Sequence, residues 1–131
     1  RLELIGGQFY YAVQEDASGG FELCPADQCE PGEAAAAQAA SPGSNGFRIL
    51  KDYQDAAIPR YEEFLARNGI EVGAIEYTED AAGDRFVYDV NINTNYNAAA
   101  ETAAGAGYSG MGRIAAFLGQ ELKQLTMADP G

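Results

Sequence analysis

Histidine is absent from these 131 residues. No Ser-His-Asp or Cys-His mechanism can therefore be assembled within the chain. Cysteine is almost as scarce. Cys24 and Cys29 are too few for a disulfide framework. A zinc site would need further soft ligands that the sequence does not supply. Two ordinary thiols are the default, and a local disulfide is the minor alternative. No apolar run approaches 18 residues, so no transmembrane helix is expected. A Gly-x-x-x-x-Gly-Lys-Ser/Thr phosphate loop is missing as well. Positive charge is sparse: eight Lys and Arg stand against twenty Asp and Glu, a net charge of −12. Such a surface repels nucleic acid and anionic membranes, so neither is an expected partner. The expected location is the cytoplasm.

What is present suits one folded domain with a modest core. Residues 2–14 read as a hairpin turning at Gly6-Gly7, a strong signal between apolar runs. Phe21-Glu22-Leu23 could start a short third strand. Residues 24–46 combine prolines, glycines and an alanine run without large apolar anchors, which fits a surface turn of helix or a loop. Phe47-Arg48-Ile49-Leu50 is ambiguous. A helix follows, with Ala57, Tyr61, Phe64 and Leu65 at helical spacing, Pro59 in its first turn and Asn68-Gly69 as its stop. A second hairpin, a short helix after Asn97 and a last helix capped by Ser109 complete the order. That last helix is expected to bury Met111, Ile114, Ala115, Leu118 and Leu122. The fold class is α+β: an antiparallel sheet with helices packed on one face. The opening run, Arg1-Leu2-Glu3-Leu4-Ile5, already has a strand pattern and reads as the interior of a longer protein. Residues 1–131 are taken as a single domain.

The second hairpin holds the most informative residues. With a four-residue loop, 81–84, Asp80 opposes Arg85, Thr78 opposes Val87 and Glu76 opposes Asp89. Directly opposed Cβ atoms lie about 4.5–5.5 Å apart, and like charges there destabilise a sheet. Asn91 follows Asp89 on the same face. Two carboxylates and an amide oxygen suit a hard cation such as Mg²⁺ or Mn²⁺. The alternating run puts Asn93 and Asn95 on that face as well. Ile75, Tyr77, Phe86, Tyr88, Val90 and Ile92 form the expected core face behind it. Asp and Asn are poor strand formers, so this run gives up local stability for some purpose. A plain solvated face is the competing reading. Gly105-Ala106-Gly107-Tyr108-Ser109-Gly110 matches Gly-x-Gly-x-x-Gly, but it lacks a preceding parallel strand, so turns and close packing explain it better than phosphate binding.

The segments Arg1-Leu2-Glu3-Leu4-Ile5-Gly6-Gly7-Gln8-Phe9-Tyr10-Tyr11-Ala12-Val13, Ala74-Ile75-Glu76 and Tyr88-Asp89-Val90-Asn91-Ile92-Asn93-Thr94-Asn95 resemble the C-terminal part of ATP-grasp enzymes. The glutathione synthetase and ribosomal-protein glutamate ligase type is the nearest group. The resemblance covers most of the chain except residues 24–46. It implies that Glu76, Asp89 and Asn91 hold the Mg²⁺ that bridges ATP phosphates, that Asn93 and Asn95 contact the cofactor, and that Arg1 contacts the transferred phosphate. It also implies a reaction in which a small carboxylate is phosphorylated by ATP and the acyl phosphate is captured by an amine or a thiol. The departures are Asp89, where the family usually has glutamate, and Gln14-Glu15, where it often has a further arginine. The family's adenine pocket, lysines and glycine-rich loop belong to segments upstream of these motifs, so the isolated chain is expected to be inactive. A non-catalytic module that binds a metal or polar ligand, and a structural or interaction domain, remain the alternatives.

Overall fold

The computed structural model describes residues 1–15 and 47–128. The expected strand at 21–23, the segment 24–46 and both cysteines lie outside the described residues. Five strands form one antiparallel sheet: β1 (Leu2–Ile5), β2 (Gln8–Glu15), β3 (Phe47–Leu50), β4 (Val72–Glu79) and β5 (Arg85–Asn91). Their order across the sheet is β3-β2-β1-β4-β5, so β1 is central. Helices α1 (Ile58–Arg67), α2 (Ala98–Ala104) and α3 (Gly110–Ala128) are the other elements among the described residues. The fold is therefore α+β. No helix among the described residues is long and apolar enough to cross a membrane.

The turn between β1 and β2 follows its glycines. Gly6 and Gly7 have φ of +65° and +71°, the left-handed pair that a tight hairpin needs. The ambiguous segment from Phe47 is an edge strand, paired to β2 through Ile49↔Val13. Helix α1 begins and ends where the sequence indicates. Asp55 accepts the Ala57 N–H at its start, Pro59 occupies the first turn, and Gly69 closes it at φ +65°.

The helices do not share one face, contrary to expectation. Alternation along a strand gives the sheet two apolar surfaces. Leu2, Leu4, Ala12 and Ile75 pack with Leu65 of α1 on one side. Tyr11, Val13 and Ile49 pack with Ala100 of α2 on the other. Both sides of the central strands are thus covered, which explains why all four residues of β1 are buried.

Helix α3 is rotated from its expected phase. Ser109 is its N-cap, accepting the Gly112 N–H at 3.1 Å. Yet Met111, Leu118 and Leu122 are 66%, 57% and 63% exposed, and Ala115 is exposed too. Ile114, Phe117 and Glu121 are the half-buried positions instead. Gly110 sets this phase. It is buried beneath the Tyr96 ring, so close that a Cβ would overlap it. Residues one and two turns on from Gly110 then face the sheet, and Phe117 reaches Gly6.

Candidate functional site

The sheet face opposite α1 carries the candidate residues, and strand register places them. Leu2 pairs with both Ala12 and Ile75. One residue earlier, Arg1 lies between Val13 and Glu76. Glu76 pairs directly with Asp89 across β4 and β5, as the sequence predicts. A charged row therefore crosses the sheet: Arg1, Glu76, Asp89. The adjacent row contains Tyr11, Glu3, Ala74 and Asn91, linked by consecutive pairings.

The expected turn register is off by one residue. Glu79 pairs with Arg85, Thr78 with Phe86 and Tyr77 with Val87. Asp80 belongs to the loop, where its Oδ1 accepts the N–H groups of Ala82 and Asp84. A bulge between Glu76 and Tyr77 then absorbs the extra residue and restores Glu76↔Asp89. In a bulge, two residues of one strand oppose one of its partner. Tyr88 is thereby swung to the Glu76 side, and its hydroxyl donates to Glu76 Oε2 at 3.4 Å. This overturns the expected core face. Phe86, Tyr88 and Ile92 are exposed, whereas Ile75, Tyr77 and Val90 do pack on the α1 side.

Asn93 and Asn95 do not continue the strand face. β5 ends at Asn91, whose Oδ1 accepts the Asn93 N–H at 2.8 Å. Asparagine favours this local turn over a ladder, because its side chain bonds the backbone two residues on. Asn95 contributes its backbone instead: Arg1 Nη2 donates to the Asn95 carbonyl at 3.3 Å. The structure thus brings Glu76 and Asp89 together, places Asn91 in the next row, and sets Asn93 and Asn95 beyond the strand. No cluster of three or more Asp, Glu, Cys or His able to hold a metal occurs among the described residues.

Sequence reasoning missed the buried half of this surface. Glu3 is 0% exposed. Arg1 Nε stands 2.7 Å from its Oε1 in an ion pair, and neither Glu3 oxygen has a further hydrogen-bond partner among the described residues. Burial raises the Glu3 carboxyl to about 7; the Arg1 charge opposes the shift and the Glu76 charge adds to it. Tyr96 Oη is also buried without a hydrogen-bond partner among the described residues, and desolvation with the nearby Glu3 charge pushes it up to about 12. The alternation Arg1-Leu2-Glu3 shows that Arg1 and Glu3 share a face, but nothing local shows that this face is covered.

Glu101, also buried, fastens that docking. Its Oε1 accepts from the Tyr11 hydroxyl at 2.8 Å and from the Gly110 N–H at 2.6 Å. A carboxylate at the first turn of α3 suits the helix dipole. The glycine-rich segment before α3 is therefore a packed turn. Tyr10 donates to the Gly107 carbonyl and accepts the Ser109 N–H. With the Gly110 and Gly112 amides bonded to protein oxygens, little is left there for a phosphate.

Comparison with known proteins finds no match among family models, curated sequences or solved structures.

Proposed function

We propose that the chain is the metal-bearing portion of an ATP-dependent carboxylate–amine or carboxylate–thiol ligase of ATP-grasp type. One observation carries this reading: two carboxylates, Glu76 and Asp89, face each other across β4 and β5. Like charges so placed cost the apo sheet up to about 1 kcal/mol. A divalent cation removes that cost and turns the pair into ligands. Carboxylate oxygens are the donors that Mg²⁺ and Mn²⁺ prefer. Asn91 Oδ1 keeps a second lone pair beside the Asn93 N–H it accepts, so it can complete the set. When bound, the metal supplies charge neutralisation for the ATP phosphates. Arg1, one position along the same row, adds a cation on the anion's side of the site and is held by Glu3 and the Asn95 carbonyl. Arg1 then orients the phosphate, and Asn93 and Asn95 border the cofactor. The adenine pocket and the small carboxylate with its amine acceptor belong to the rest of such an enzyme.

Mn²⁺ titration of the chain and of Asp89→Asn tests the reading. The parent should bind Mn²⁺ and the variant should not. The variant should also be more stable without metal, by up to about 1 kcal/mol in urea unfolding. Equal Mn²⁺ affinity, or a less stable apo variant, would refute it.

The thin ligand set favours a second reading, a non-catalytic module that binds a metal or polar ligand on the same face. The gene upstream of Arg1 discriminates: a ligase requires nucleotide-binding lysines and a glycine-rich loop there.

A further inference from the structure

Helix α3 has a second apolar face, about a quarter turn from the half-buried Ile114, Phe117 and Glu121. Met111, Ala115, Leu118, Leu122 and Leu125 follow one another at intervals of four, three, four and three residues. On a helix they share an arc of about 80°. All five are exposed, Leu125 at 69%. A stripe confined to these positions is narrower than one that covers a globular core. It is the seam by which one helix packs against another. Gly119 is an independent observation. It sits mid-helix beside the seam, where glycine costs backbone entropy. A Cβ there would meet nothing within 4 Å, so packing among the described residues gives no reason for it. Close approach of a second backbone does. Charge indicates whose backbone. The chain carries a net −12, so most of its surface repels a second copy. The charged residues of α3 are Arg113, Lys123 and Glu121, so this helix does not.

We propose that α3 pairs with α3 of a second copy of this chain, antiparallel about a two-fold axis, with Leu118 of each seated on Ala115 of the other. A two-fold interface uses one patch twice, and this seam is self-complementary in that way. In the same register Met111 meets the partner's Leu122. Gly119 faces the partner's Gly112 along one flank, where the backbones can close up. Glu121 lies beside the partner's Ile114 on the other flank, so no like charges meet. A parallel pair would instead set Ala115 against the partner's Ala115 and leave that layer underfilled. The middle of the seam adjoins Phe117, which reaches Gly6 at the end of β1 away from Arg1. The inference therefore does not depend on the ligase reading.

Sedimentation equilibrium of the full chain and of surface variants tests this. The seam is shorter than a standard interface, so the parent should dimerise weakly, with a Kd of about 10–100 µM. Gly119→Gln separates pairing from folding. Its helix gains propensity and its side chain enters open space, so Tm measured on dilute protein should rise by roughly 2–4 °C. The same side chain blocks the approach of the backbones, so dimerisation should weaken at least roughly tenfold. Met111→Lys and Leu122→Glu should each weaken the dimer, and the double variant should recover part of the loss, because the antiparallel register brings the two positions together. A parent that stays monomeric at about 500 µM, a Gly119→Gln chain that dimerises as well as the parent, or a double variant no better than its singles would overturn the proposal.

Discussion

Replacing Glu3 by Gln should make the protein more stable at pH 8 and leave it nearly unchanged at pH 4.5. Glu3 is fully buried beside Arg1, and its carboxyl is raised from 4.5 to about 7, chiefly by desolvation. The folded chain therefore binds a proton more tightly than the unfolded chain. Between the two values the folded state holds protons that the unfolded state has released, so stability falls as pH rises. The contribution is complete below about 4.5 and is lost by the time pH has passed 7. Its size is about 3 kcal/mol, or roughly 10 °C in Tm for a domain of this length. Gln mimics the protonated acid and cannot ionise. Urea unfolding of both proteins at intervals from pH 4.5 to 8.5 measures the effect. The two stability curves should start together and separate by about 3 kcal/mol. Parallel curves would show that Glu3 ionises in the fold as freely as in the unfolded chain, and would refute the reasoning. Asp55 does not blur the window. Its carboxyl is held down at about 2, first by the Arg85 hydrogen bond, so its contribution fades only as pH falls below about 4.

Three further outcomes are expected. Gly110→Ala should cost about 2 kcal/mol or more in urea unfolding, because the new methyl overlaps the Tyr96 ring. Glu101→Ala should cost about 2–3 kcal/mol, because the Tyr11 hydroxyl and the Gly110 amide both lose their acceptor; Glu101→Gln should recover part of it. The isolated chain should show no ATP turnover, and turnover abolished by Asp89→Ala would overturn the expectation.

The hairpins, helix boundaries and charged pair were legible because each has a local cause. Gly6-Gly7, Pro59, Asn68-Gly69 and Ser109 act within a few residues of themselves. The opposition of Glu76 and Asp89 was also read from sequence, though through a turn register that proved wrong. A five-residue turn and a bulge at Tyr88 compensate each other, and alternation alone cannot reveal either. The misplaced aromatics have the same origin. The burial of Glu3 depends on what folds over the sheet face opposite α1, and that of Glu101 on its bonds to Tyr11 and Gly110, long-range facts that no local pattern encodes. The exposure of Met111, Leu118 and Leu122 depends on Gly110 seeking the Tyr96 ring, a contact between residues that no helical period relates. Asn93 and Asn95 leave the strand face because an asparagine-rich run fits two patterns, an alternating strand and a local turn. The Asn91 side chain decides for the turn.

The added residue at Tyr88 works as an expansion joint in the ribbon. Because it takes up one residue of slippage, the loop at 80–84 can gain or lose length without dragging Glu76 away from Asp89. Mutational tolerance should therefore be high at the tip and vanish abruptly on crossing position 88. A one-residue deletion at Gly83 and one at Tyr88, alike on paper, would meet very different fates.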